Sequence, residues 1–405
     1  MNQQYDLVIV GGGMVGAATA LALADSSLNI ALLERNLPES FSVDQPLDLR
    51  VSALSPASIE LLDRLDVWKT ITAQRACPYR RMRVWELDED AEGLIGKAAR
   101  ACATEFNSAE IGLDQLGYIV ENRLIQRALL DKLALSESVT LITDGVVSID
   151  YSAGATLVEL DSGESLIARL LVAGDGGESM VRQAAALGAH QWDYGQMAMV
   201  INVATADPQQ DITWQQFNPS GPRALLPLPG NNASLVWYDS PERVQALLAM
   251  ELEQLKQELL NHFPARLGAI ESIHGRAAFP LRRMHAQHYV AEGVALLGDA
   301  AHQINPLAGQ GVNLGFQDVE VFAEVILEAL AKGEVPGSLT VLKRYENRRR
   351  KANLLMMQTM DFFYRAFSNQ QTPLKVARNL LLGAAGFAKP LRNKALRVAS
   401  GIDRF

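Results

Sequence analysis

Residues Gly298 to Gly315 place four glycines, Asp299 and Pro306 between two regular segments. The apolar run Gly293 to Leu297 reads as a buried strand, and Phe316 to Ala331 carries apolar residues at helical spacing. A strand, a glycine-rich loop and a helix are expected here. Glycines let backbone N–H groups approach a ligand closely, and the positive end of the following helix favours an anion or an electron-rich carbonyl. An ionised Asp299 only accepts hydrogen bonds, so it suits a hydroxyl-bearing chain such as a ribityl or ribose.

Two further loops repeat the pattern. Leu7 to Val10 is a short apolar strand running into Gly11, Gly12, Gly13, Met14, Val15 and Gly16, which satisfies G-x-G-x-x-G, and a helix is expected over Ala17 to Asp25. A second strand, Ile30 to Leu33, ends at Glu34, where ribose hydroxyls of a dinucleotide would reach it. An acid there fits FAD or NAD and disfavours a 2′-phosphate. The strand Ala168 to Ala173 opens into Gly174, Asp175, Gly176 and Gly177. Three such loops, each after an apolar strand, point to one extended ligand held at several places.

The intervening segments must position these loops. A short helix is expected over Ser58 to Leu65, an amphipathic helix over Glu121 to Leu133, and short strands and hairpins between Val139 and Ala168. Arg50 and Arg123 are either surface charges or phosphate neighbours. From Trp192 to Arg276 aromatic strands predominate, with turns at Pro219 to Gly221 and Gly230 to Asn232, followed by a helix from Glu242 to Phe263. This reads as a sheet inserted between the second and third loops. Trp214, Phe217, Leu225, Pro227 and Trp237 are its candidates for an apolar substrate wall, against the plainer reading that aromatic strands are core.

Composition narrows the alternatives. At 405 residues the chain is long enough for two or three domains, and 48% hydrophobic with 20% charged residues is ordinary for a globular protein. The net charge of −9 makes nucleic acid an unsuitable partner. Cys77 and Cys102 form neither a CxxC metal site nor a disulfide framework, and no metal is expected. His285 and His288 are spaced to share a helix face but have no third ligand nearby, so exposed structural histidines are expected. No basic n-region precedes the first strand, and no apolar run approaches the roughly 20 residues of a spanning helix, so a cytoplasmic protein is expected. The chain from Arg348 onward holds twelve Lys or Arg against two acids, which leaves −19 on the rest. With Leu380 to Leu382, Phe387, Leu391 and Leu396, this helical tail could meet an anionic membrane surface or an acidic partner, or pack back on the body.

The combination resembles a known family. Gly11, Gly13 and Gly16 with Glu34, the Asp175-Gly176 loop, and Gly298-Asp299 followed by Pro306, Gly309, Gln310 and Gly311 are similar to the three signatures of the FAD-dependent aromatic hydroxylases of para-hydroxybenzoate hydroxylase-like fold. Within that group the chain resembles the ubiquinone-biosynthesis hydroxylases over nearly its whole length, notably at Asp48, Arg50, Ser52 and Ala53, at Thr213 to Phe217, and at Leu235 to Pro241. One departure stands out: the family's Gly-Ala-Asp-Gly is Ala173-Gly174-Asp175-Gly176 here.

The resemblance implies an α/β, Rossmann-like FAD-binding domain (1–77, 110–185 and 277–345), an inserted antiparallel β-sheet substrate domain (78–109 and 186–276) and a helical C-terminus (346–405). It implies that Glu34 binds the adenosine ribose, that Arg35, Arg50, Arg123 and Val147 border the FAD, that Asp175 belongs to a loop shared by FAD and NAD(P)H, and that Asp299 holds the ribityl chain. Residues Pro306 to Asn313, including Gly309, Gly311, Val312 and Asn313, would line the isoalloxazine. The implied activity is monooxygenation, with O2 as co-substrate and NAD(P)H as external reductant, through a flavin C4a-hydroperoxide on the ring of a polyprenyl benzoquinol, a demethoxyubiquinol intermediate. No catalytic side chain is assigned, because a quinol ring already activated by two oxygens demands no dedicated base. An apolar polyprenyl tail further implies contact with a membrane or with other ubiquinone-biosynthesis proteins.

Overall fold

The computed structural model describes residues 3–86, 103–208, 211–304 and 311–367, together with Asn393, Arg397 and Gly401; side-chain environments in the last helix are described to Asp361. Its centre is a mixed sheet. Four parallel strands, Ser165–Ala173, Gln3–Val10, Ile30–Leu33 and Val139–Ile142, lie side by side, and Val294–Leu296 pairs parallel with the outer edge of the first. Strand Gln3–Val10 ends in four successive buried residues because it is covered on both faces, as a parallel strand requires. Helix Met14–Ala22 packs beside helix Asn122–Leu133 and the long helix Gly311–Ala331. The first helix starts at Met14, one turn before the expected Ala17, because Gly13 caps it directly.

The second sheet runs, in spatial order, His302–Gln303, Ile270–Ala286, Ala189–Thr205, Asn232–Asp239, Arg223–Pro227, Ile212–Gln216, Arg81–Trp85 and Thr104–Asn107. Alternation gives it two unlike faces. Met199, Ile201, Val203, Trp214, Leu225, Leu235 and Trp237 point to helices Pro241–Ala249 and Leu252–His262 and bury against Val244, Leu247, Leu255 and Leu259. The opposite face, with Met82, Phe106 and Leu226, meets a small sheet of Val51–Leu54, Gly117–Glu121 and Cys77–Tyr79.

Three expectations change here. The single helix from Glu242 to Phe263 is two helices, broken at Met250 and Glu251, both of which have extended backbone. A continuous helix would carry Glu251 on the buried stripe of Val244, Leu247 and Leu255; the break leaves it exposed. His285 does not share a helix with His288: it lies near the end of the 17-residue strand Ile270–Ala286 and is only 4% exposed. That strand also runs through the expected division between residues 276 and 277. The excursion between residues 87 and 102, Cys102 and most of the basic tail lie outside the described residues.

Candidate flavin site

The three glycine loops meet at the carboxyl ends of the parallel strands, where open α/β sheets bind ligands. Gly11 has φ +97° and its backbone lies so close to the second loop that a Cβ would sit 2.5 Å from the Gly174 carbonyl oxygen. A Cβ on Gly16 would lie 1.9 Å from the Gly11 carbonyl, and one on Gly174 would lie 3.0 Å from the Gly16 Cα. The exchanged Gly174 is thus the residue that allows the first two loops to touch. From the third loop, Gly298 (φ +56°) and Gly315 both close on Val15, with hypothetical Cβ contacts of 3.1 and 2.7 Å. Val15 is therefore the hub around which the first and third loops pack.

The polar groups of this junction are disposed for a long, hydroxylated, phosphate-bearing ligand. Gly13 caps helix Met14–Ala22 with no side-chain acceptor and no acid in the first turn, and a Cβ there would meet nothing within 4 Å. The helix's first N–H groups have room for a phosphate. The helices at Ser55, Ser179 and Ser240, by contrast, are capped by their serine hydroxyls. Glu34 accepts from Gly12 N at 2.8 Å and from Asn36 N at 2.9 Å, which fixes its carboxylate beside the first loop. Arg35 is exposed and pairs with Asp161 at 2.5 Å, both against Gly145, two residues from the exposed Val147. Gln126, which the sequence did not single out, donates to Gly12 O at 2.8 Å and docks helix Asn122–Leu133 onto the loop. Next to it, Arg123 has a buried Nε without a protein partner.

Two of the loop acids sit in desolvated surroundings. Asp175 Oδ2 accepts from Val181 N at 3.3 Å, whereas its Oδ1 is buried and unpartnered, and desolvation pushes the carboxyl above its usual range. Asp299 is accessible to solvent yet densely ringed by protein, as in a residue lining a concavity; desolvation raises its carboxyl, and His302 and Arg50 oppose the rise. Arg50 itself is exposed. Arg182, also missed by the sequence, is 5% exposed and donates to Ala300 O at 2.8 Å and to Gly177 O at 2.6 Å, tying the second loop to the third.

Several site candidates are placed otherwise than the sequence suggested. Asn313 is 1% exposed and committed inward: its Oδ1 accepts from Ser55 N at 2.9 Å and Ser58 Oγ at 2.7 Å, and its Nδ2 donates to Ala53 O at 2.8 Å. Its side chain braces the segment after Arg50, while its backbone stands in the first turn of helix Gly311–Ala331. Gly311 and Val312 are partly exposed at the start of their helix, while Pro306 and Gly309 lie outside the described residues. Of the substrate-wall candidates, Trp214, Leu225, Pro227 and Trp237 share the face turned to the two helices, away from the glycine loops. Trp237 is wholly buried, with its Nε1 donating to Asp239 at 3.0 Å and Arg223 stacked 4.2 Å from its ring. Alternation puts Phe217 on the opposite face. The period of two was readable from sequence, but which face looked toward the loops was not.

A cleft of about 1060 Å³ lined by Leu21, Leu61, Leu65 and Leu327 opens elsewhere and shares no residue with the three loops. Among the described residues no three His, Cys, Asp or Glu side chains gather as a metal site.

The model of an FAD binding domain matches residues 4–360, nearly the full span that carries these loops. The chain is 44% identical to 3-demethoxyubiquinol 3-hydroxylase of Escherichia coli K12 over 99% of its own length and 100% of the relative's. The chain belongs to the FAD-dependent ubiquinone-biosynthesis hydroxylases. It is also 35% identical to the mitochondrial ubiquinone biosynthesis monooxygenase COQ6 of Xenopus tropicalis, over 98% of this chain and 93% of that one. The fold is shared with p-nitrophenol 4-monooxygenase PnpA of Pseudomonas putida DLL-E4, at a TM-score of 0.77 and 20% identity over 98% of this chain and 97% of that one. In this family the extended ligand is FAD, and the uncapped first helix, the Glu34 carboxylate, the buried Asp175 oxygen and Asp299 fit its phosphates and hydroxyls.

Proposed function

We propose that this hydroxylase acts on the benzoquinol ring of a polyprenylated demethoxyubiquinol intermediate, with O2 as co-substrate and NAD(P)H as reductant. The observation that carries the reading is the end-to-end 44% identity with the E. coli 3-demethoxyubiquinol 3-hydroxylase. When bound, FAD supplies the activation of dioxygen, chemistry that no side chain provides.

The chain's own residues do the rest. The N-terminal amides of helix Met14–Ala22 and the glycines before it take the pyrophosphate, Glu34 the adenosine ribose, and Asp299 the ribityl hydroxyls. Asp175, with one oxygen unpartnered in the protein, accepts a hydroxyl from the cofactor or reductant. The amides that open helix Gly311–Ala331 face developing negative charge on the reduced ring system. The substrate wall is drawn from the sheet face opposite the tryptophans, beyond the part that the small sheet covers, where Val236 is apolar and where Asn202 donates to Asp48 O at 3.0 Å, two residues from Arg50. An apolar wall excludes water from the reacting ring, and a polyprenyl tail gains about 0.8 kcal/mol per buried methylene. The basic C-terminal region brings the enzyme to an anionic membrane or to another protein of the pathway that delivers this tail.

The 35% identity with COQ6 supports a second reading, hydroxylation at another position of the same ring. Mass spectrometry of quinone intermediates in cells lacking this protein separates the two. Accumulated demethoxyubiquinone, cleared by the wild-type chain but not by Asp299→Ala, is the expected result. An intermediate lacking a different hydroxyl moves the assignment to the second reading, and an unchanged quinone profile overturns both in favour of a flavin-binding scaffold.

A further inference from the structure

Behind the third loop lies a polar cluster that the site as described does not use. Asp318 projects from helix Gly311–Ala331 with no exposure to solvent, and both its oxygens are fully engaged. Oδ2 accepts from Gly298 N at 3.1 Å and from His302 Nε2 at 2.5 Å. Oδ1 accepts from Arg349 Nε at 2.7 Å and from Asn353 Nδ2 at 3.0 Å. Four donors saturate the carboxylate. Burial alone would raise its pKa, but the charges of His302 and Arg349 and their hydrogen bonds hold it down at about 2, so it is ionised throughout the neutral range.

The bonds of this one side chain bracket Asp299. Gly298 precedes it and is held in the left-handed region against Val15; His302 follows it, and its strand pairs with His285. Ala300, between them, is held separately by Arg182. Asp318 also stands about two turns from Gly311, so the same carboxylate links the Asp299 loop to the helix whose first turn faces the ring system. Arg349 and Asn353 anchor it to the last long helix, Leu339–Phe367, and Arg349 further donates to Gln317 at 3.1 Å and Asn353 at 2.6 Å. Tyr289 extends the cluster, with its hydroxyl 3.1 Å from His285 Nε2.

We propose that Asp318 is a positioning residue for the flavin: sealed from solvent, it fixes Asp299 and the start of helix Gly311–Ala331 relative to each other and ties both to the C-terminal helix. Its function is separable from general stability because its partners bracket the ribityl acid rather than the centre of the apolar core. The inference rests on FAD binding, which the family establishes, and not on the identity of the quinol.

The test uses the FAD-loaded enzyme. Asp318→Asn preserves shape but removes the charge and turns one acceptor into a donor facing Gly298 and His302 or Arg349 and Asn353. Affinity for FAD, read from its dissociation on dilution by flavin fluorescence, should weaken by about tenfold or more, the scale of losing a charged hydrogen bond. The midpoint potential of the bound flavin should move with it. The control is Leu259→Ala, in the core between the second sheet and its two helices and 0% exposed, compared at a temperature giving the same margin below its melting point. Unchanged FAD affinity and potential in Asp318→Asn, or an equal weakening in Leu259→Ala, overturns the proposal. If Asp318→Asn does not fold, His302→Gln, which loosens one flank of Asp299 and keeps a donor, is read by the same two measurements with the same two outcomes.

Discussion

Arg182 offers a quantitative test of the junction between the second and third loops. Its guanidinium donates to Ala300 O at 2.8 Å and Gly177 O at 2.6 Å, and it offsets the desolvated charge of Asp175. Arg182→Met keeps the apolar stem and deletes both bonds. Hydrogen bonds to charged groups are worth about 1.5–3 kcal/mol each, and a buried carbonyl left without a donor adds its own desolvation cost. Gly177 is partly exposed, so water replaces part of that bond, whereas Ala300 is sealed. The expected loss is about 3 kcal/mol on these grounds. Urea unfolding of the apoprotein should show it as a lower midpoint with an unchanged slope. Arg182→Lys, with a single point charge able to reach one carbonyl, should recover about half. FAD should dissociate faster from Arg182→Met, because the second and third loops lose their shared clamp. A stability change below about 1 kcal/mol, the scale of an exposed pair, would refute the claim that Arg182 is what joins them.

Further outcomes follow from other residues. Trp237→Ala should cost about 3–5 kcal/mol in stability while leaving the affinity for FAD unchanged, since Trp237 serves the helix-facing core; calorimetry with a flavin titration checks both. His285 is held down at about 4 by burial first, then by His302, Arg350 and Arg283. Unfolded chains therefore take up a proton near pH 6.5 that the folded protein refuses, so stability falls as pH drops from about 6.5 to 4, at up to about 1.4 kcal/mol per pH unit. His285→Gln should flatten that slope in pH-dependent unfolding. Deleting everything after Phe367 should weaken binding to anionic vesicles with FAD retained, as read by co-sedimentation and absorbance. A cut before Arg348 should instead release FAD, because it removes Arg349, Asn353 and Asp361, the last of which joins Arg283 at 2.6 Å and Tyr194.

That contrast shows how far the sequence could be read. The glycine loops, Glu34 and Asp299 were legible because tight turns and strand ends constrain residue type locally. Arg349 read as one more charge of a basic tail, since nothing in its neighbourhood reveals that Asp318, 31 residues earlier, accepts from it. Arg182 and Gln126 were missed for the same reason: their bonds reach loops 118 and 114 residues away in sequence. The inward direction of the Asn313 side chain was not legible, because position in a loop does not reveal where a side chain points.

The pairing of the parallel strands bears on how the protein is made. Gln3–Val10 leaves the ribosome well before its neighbour Ser165–Ala173 and the next strand, Val294–Leu296. At about 5–20 residues per second, roughly 290 residues of synthesis take about 15–60 s. For that interval the first glycine loop exists without the Gly174 and Gly298 backbones that shape it, so the cofactor meets a finished cradle only once all three loops have been made.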